Sequence, residues 1–177
     1  AVIFSSPPLH LGIKDSKILS PLQRDVLIPC IYSEAVAVGV GIVWMDDIEA
    51  TNIHIASLKA MGSAIQKLTH PPDYILVDGC FKIPSQQIGS TNIATPQMEI
   101  IKGDSLSVSI AAASIVAKTT RDKIMTLYHK LFPCYNFIKN KGYGTAEHLN
   151  AIKQYGPSPI HRKGFKGVKE YLTNAVR

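Results

Sequence analysis

Apolar residues fall in two rhythms along this chain, short unbroken runs and longer stretches at helical spacing. Residues 1–4, "AVIF", read as the end of a strand. In "LSPLQRDVLI", Ser20 is placed to cap a helix with Pro21 at its first position, and Pro29 is expected to kink or end it. "AVAVGVGIV" (35–43) is a β-branched run that predicts a buried strand. "DDIEATNIHIASLKAMGSAIQKL" (46–68) has helical spacing, with Asp46 and Glu49 set like a capping box. "DYILVDG" (73–79) and "QMEIIKGD" (97–104) predict short strands stopped by Gly79 and Gly103. A long helix is expected over about 105–132, small and apolar in its first half, and closed by Pro133. Thr145, Gly156 and Pro157 bracket another helix, and the tail "GVKEYLTNAV" suits a last one. Strands and helices alternate, so the class is α/β.

Composition narrows the picture. A chain of 177 residues with 46% hydrophobic and 18% charged positions reads as one globular domain rather than a disordered segment. Its formal charge of +6 favours a polyanionic partner such as nucleic acid. The three cysteines, Cys30, Cys80 and Cys134, have no C-x-x-C spacing, which argues against a disulfide framework or zinc ribbon and suits a reducing cytosol. No apolar stretch approaches the length of a membrane helix and no signal-peptide pattern opens the chain, so a cytoplasmic protein is expected.

Asp78 and Asp104 share one grammar: each ends a short apolar strand and touches a glycine. If those strands are neighbours, their tips bring two carboxylates to the sheet edge, where ligand sites of α/β proteins collect. Two such anions repel unless a cation intervenes, and Mg²⁺ uses one or two carboxylates with substrate phosphate. Both residues also suit plain structural roles, Asp104 as a helix cap and Asp78 as a turn former. Asp122 is different. On one continuous helix the eighteen residues from Asp104 place it roughly 27 Å away, too far to share an ion, and a structural pairing with Lys118 or Arg121 is expected instead.

Tyr143 in "NKGYGTAEHL" stands between Gly142 and Gly144, which leaves its ring accessible for stacking on a sugar or base; the alternative is a core tyrosine. Around it lie Lys139, Lys141, Lys153, Arg162, Lys163, Lys166 and Lys169, either a solvated basic face or a phosphate track. The histidines show no metal-ligand spacing, and His161 in "PIHRKGF" is a weak candidate for a phosphate contact.

"GIKDSKILSP", "YILVDG", "KGDSLSVSIAAASIVAKTTRD" and "GYGTAEHLNAIKQYGPSPIHRKGF" together resemble bacterial ribonuclease HII, in order and over about residues 1–168. The likeness to ribonuclease HIII is weaker. The resemblance implies a ribonuclease H-like mixed sheet flanked by helices with a C-terminal helical segment. It further implies an endonuclease that hydrolyses the RNA strand of RNA–DNA hybrids and single ribonucleotides embedded in duplex DNA, leaving 5′-phosphate and 3′-OH ends. That family works with Mg²⁺ or Mn²⁺ through two-metal chemistry on four carboxylates. Asp78 matches its acid in "VDG" and Asp104 its acid in "KGD"; both become expected metal ligands and catalytic residues. Tyr143 matches the tyrosine at the ribose–deoxyribose junction. Gly142, Gly144, Lys141, Arg162, Lys163 and Lys17 are expected substrate contacts, and Asp122 with Lys118 a structural pair.

The family's opening strand carries "DEAGRG", and no such motif occurs in this sequence. The chain is therefore expected to be incomplete relative to the natural protein and to lack its first strand. It would then hold half a metal site and show little activity. Residues 1–138 are expected to form the catalytic core and 139–177 a substrate-binding segment of the same domain. The expected state is a monomer, with a replication clamp as a candidate partner. The alternative function is a nucleic-acid-binding module of the same superfold without chemistry.

Overall fold

Short apolar runs become short strands in the computed structural model, which describes residues 1–89 and 94–174. Val2–Ile3 (β1) pairs antiparallel with Ala37–Val38 (β2), and Ile75–Asp78 (β3) pairs parallel with Gln97–Ile100 (β4). Parallel and antiparallel pairing, with helices between, gives the expected mixed α/β class.

The helices are Pro21–Glu34 (α1), Met45–Ala50 (α2), Ile53–Gln66 (α3), Gly103–Leu106 (α4), Val108–Leu131 (α5), Phe137–Asn140 (α6) and Ala146–Tyr155 (α7). Four expectations change here. Pro29 does not end α1: Ile31 is fully buried with Ala112, Ile115 and Val116, and that packing carries the helix past the missing N–H. The strand expected over 35–43 shrinks to two residues because Gly39 and Gly41 lie directly on α3. A Cβ at either would collide with the carbonyl oxygen of Ala64 or Ala60. The helix expected over 46–68 breaks after Ala50 into α2 and α3, and no side chain caps α2. Finally, the helix over 105–132 breaks at Ser107, whose extended backbone separates α4 from α5. The tail is helical as expected, as a 3₁₀ helix at Lys169–Asn174; Ala175 and Val176 of that expected helix lie outside the described residues.

Two compact units result, Ala1–Val43 with Ile53–Thr119, and Trp44–Asn52 with Thr120–Arg177. In the first, Ile65, Ile75, Val77, Ile83 and Ile88 bury one face of β3 against α3. The Gln97 amide both donates to Ile83 O and accepts from Ile83 N, at 3.0 Å each, and so pins the crossover that joins the parallel strands. In the second unit, Tyr135, Phe137, Ala151, Ile152 and Val168 form the core. Among the described residues no helix is long and apolar enough to cross a membrane.

Candidate functional site

The parallel register of β3 and β4 sets Asp78 opposite Ile100, so the two strand ends leave the sheet side by side. Beyond β4 the chain must turn sharply. Lys102 takes a left-handed conformation (φ 56°) and Gly103 begins α4. The Gly103 N–H donates to Asp78 Oδ1 at 2.9 Å, tying the end of β3 to the residue before Asp104. A side chain at Gly103 would put its Cβ 2.5 Å from Ile110 Cδ1 and 3.4 Å from Asp78 Oδ1, so it would require the end of the Ile110 side chain to move.

Asp104 is buried and Asp78 exposed. A buried carboxylate needs a positive partner, and Lys17 provides it: its ammonium donates to Asp104 Oδ2 at 2.9 Å. That hydrogen bond holds the Asp104 carboxyl below the usual carboxylate range, overcoming the opposing effect of burial, with further help from the Lys17 charge and from Asp15. Reciprocally, Asp104 raises the Lys17 ammonium above its ordinary value, first by the hydrogen bond and then by charge, with smaller contributions from Asp15 and Asp78. Lys17 thus answers to three acids at one corner.

The loop that carries Lys17 is anchored from both sides. Ser16, buried, shares a 2.8 Å hydrogen bond with Ser114 of α5. The buried Arg24 guanidinium of α1 donates to Ser16 O (3.0 Å) and Leu19 O (2.6 Å), and Lys17 N donates to Asp15 Oδ1. Sequence reasoning missed Asp15, Ser16, Arg24 and Ser114 as parts of this corner. Arg24 stands three, four and seven residues before Leu27, Ile28 and Ile31, on the face of α1 that packs, and that spacing was the signal available.

In the second unit Tyr143 is 57% exposed, so its ring is accessible rather than part of the core, and the Arg121 guanidinium lies 4.9 Å from its centroid. The loop before it is held by Asn140, whose carbonyl accepts from Tyr143 N and whose side-chain oxygen accepts from Gly142 N. Lys141, left-handed at φ 50°, sends its ammonium to Thr126 Oγ1 at 3.1 Å. Arg162 covers the ring of Phe165, and Lys163 pairs with Glu49 through both backbone N–H and ammonium. Glu49 thus belongs to this pairing and not to the capping box its spacing suggested. Gly144 lies between Tyr143 and the N-cap Thr145. Asp122 and Lys118 sit one turn apart on α5, and Asp122 O accepts from the Thr126 hydroxyl. His161 is buried among aromatic rings, bonded to Ser158 and His148, which takes it away from any phosphate at the surface.

Asp78 ends β3, but β4 stops at Ile100 and Asp104 lies in the first turn of α4 rather than at the strand end its sequence suggested. Carboxylates are the hard oxygen donors a divalent cation takes, completing its shell with water and phosphate. Among the described residues, no three His, Cys, Asp or Glu side chains gather as a metal site.

These features belong to a fold already seen elsewhere. The structure matches ribonuclease H2 from Pyrococcus horikoshii OT3 with a TM-score of 0.75 and 22% identity, over 93% of this chain and 82% of that one. This makes the chain a ribonuclease H-like α/β protein. Residues 7–168 match the family model for ribonuclease HII. Ribonuclease HII of Geobacter sulfurreducens is 49% identical over 161 residues, covering 91% of this chain and 70% of the relative. That of Bacillus velezensis is 47% identical over 171 residues, covering 97% of this chain and 64% of the relative. The chain belongs to the ribonuclease HII family, a family of endoribonucleases.

Proposed function

We propose that this protein hydrolyses the RNA strand of RNA–DNA hybrids and cuts at single ribonucleotides embedded in duplex DNA, leaving 5′-phosphate and 3′-OH ends. One observation carries the reading: Asp78 Oδ1 accepts from the N–H of Gly103, the residue before Asp104, which brings the acid ending β3 close to the acid in the first turn of α4. Mg²⁺ or Mn²⁺ held there by Asp78 and Asp104 would supply Lewis-acid stabilisation of charge on phosphate oxygens, one ion or a pair. Asp78, exposed at its strand tip, offers a carboxylate to the incoming ion and phosphate. Asp104, buried, stays ionised because Lys17 and its hydrogen bonds keep it so. Lys17, with its ammonium largely in solvent, is placed to swing between Asp104 and a substrate phosphate.

Tyr143 stacks on the ribose junction, its ring steadied by Arg121, while Gly142 and Gly144 leave the approach open. Lys141, Arg162 and Lys163 add phosphate contacts along the same unit. The work is cytoplasmic, and the monomer is the active species. A second reading, nucleic-acid binding without chemistry, draws on a donor set of only two acids among the described residues.

Duplex DNA with one ribonucleotide, incubated with the protein and Mg²⁺ or Mn²⁺, separates the two. Cleavage beside the ribonucleotide, lost in Asp78→Asn with the fold intact, is the expected result. Binding without cleavage moves the account to the second reading, and neither binding nor cleavage ends both.

A further inference from the structure

A buried line of hydrogen bonds runs from Ser158 to the carbonyl of Tyr143, through two histidines to which the proposed chemistry gives no part. Thr145 caps α7 by accepting His148 N–H at 3.2 Å, which turns His148 inward on the same face as Ala151 and Ile152. His148 is 4% and His161 7% exposed, packed together and against the rings of Tyr135 and Phe137. His161 Nδ1 meets Ser158 N at 3.0 Å and Ser158 Oγ at 2.7 Å. His161 Nε2 meets His148 Nε2 at 2.9 Å, and His148 Nδ1 meets Tyr143 O at 2.9 Å.

Only one proton arrangement satisfies this line with both rings neutral. A backbone N–H can only donate, so His161 Nδ1 is an acceptor and its proton sits on Nε2. That N–H then donates to His148 Nε2. The proton of His148 is therefore on Nδ1 and donates to Tyr143 O. Burial and the neighbouring His148 push the His161 imidazole down to about 4, which keeps it neutral near pH 7. The same carbonyl of Tyr143 also accepts from Thr145 N at 2.8 Å, so both of its lone pairs are engaged.

We propose that His148 and His161 are positioning residues: their fixed tautomers lock the carbonyl of Tyr143 and so present its exposed ring to a ribonucleotide in one orientation. The need is physical. Tyr143 follows Lys141 and Gly142, both at positive φ, and precedes Gly144, so the local backbone has unusual freedom. An exposed ring on a loose backbone would lose entropy each time it stacked, and a preset loop removes that cost. Apolar side chains could fill the same pocket among Tyr135 and Phe137, but they would remove the N–H at Tyr143 O that adds to the hold of Asn140 and Thr145 on the loop. This inference rests on reading Tyr143 as the ribose-facing residue.

Two measurements test it. In the ¹⁵N-histidine-labelled protein at pH 7, His148 should show the Nδ1–H tautomer and His161 the Nε2–H tautomer, with a scalar coupling between their Nε2 atoms. An Nε2–H proton on His148 overturns the proposal. Second, competition binding compares a duplex containing one ribonucleotide with an all-DNA duplex. His148→Leu should cut the preference for the ribonucleotide about five- to tenfold with all-DNA binding unchanged, whereas His148→Asn, whose amide N–H can replace Nδ1–H, should stay within about twofold of the native protein. Equal losses on both duplexes, or no rescue by Asn, mean a merely structural pair and refute it. Should His148→Leu not fold, the tautomers and His148→Asn still decide. A native protein with no ribonucleotide preference would sink the reading of Tyr143, while the tautomers would report separately on the hydrogen-bond line.

Discussion

Replacing Lys17 by Met tests the electrostatics of the carboxylate corner. The Lys17 side chain is 75% exposed and that of Asp104 only 4%, so the two partners lose very different amounts. Removing the ammonium costs little at Lys17 itself, because its charge is already solvated. It leaves Asp104 as a buried acceptor without its cation, a defect of about 1–3 kcal/mol. For a chain of 177 residues, where each kcal/mol moves Tm by about 2–4 °C, the expected loss is about 2–12 °C. Thermal unfolding followed by circular dichroism at pH 7, with chelator present to exclude stray ions, reads it directly. The pH dependence has a definite sign. In the native protein Asp104 titrates below its ordinary 3.8, so its contribution is complete above that value and fades as pH falls through the folded pKa. In Lys17→Met burial acts unopposed by the hydrogen bond, so the deficit should be largest at pH 7 and shrink as Asp104 protonates. Adding Asp104→Asn to Lys17→Met should cost less than the sum of the single changes, because no unpaired charge remains. A variant as stable as the native protein at pH 7, or strict additivity, would refute the reasoning.

Two further consequences follow. Gly103→Ala should destabilise by about 1 kcal/mol at most, because the end of the Ile110 side chain must turn away, and Ile110→Val should relieve part of it; denaturant melts showing two independent effects would contradict the close approach. Between pH 6.5 and about 4 the protein should lose about 3 kcal/mol of stability as unfolded His161 takes a proton that the folded site refuses, and a flat profile of urea midpoints over that window would place His161 outside the core.

Much of the carboxylate corner was legible because its logic is local. A short apolar run ending in Asp beside Gly occurs twice in the sequence and singles out Asp78 and Asp104, although only Asp78 ends a strand and Asp104 lies in α4. What it could not show is how Asp104 stays charged. Ser16 and Ser114 are 98 residues apart in sequence, and no periodicity predicts their contact. The break at Ser107 was hidden for the opposite reason: "DSLSVSIAAAS" keeps small and apolar residues at helical spacing straight through it. In "AVAVGVGIV" the β-branched residues read as a strand, while Gly39 and Gly41 serve a close crossing of α3 that only the tertiary structure reveals. His148 was more readable than it was read. It lies three residues beyond a threonine cap and three and four before Ala151 and Ile152, on the face that had to be buried.

The decisive measurement is Mn²⁺ binding, followed by electron paramagnetic resonance on the native protein and on Asp78→Asn and Asp104→Asn, each first shown to be folded. The account predicts a saturable site in the native protein that either single substitution weakens at least tenfold, or about 1.4 kcal/mol. Unchanged Mn²⁺ affinity in both variants would contradict it.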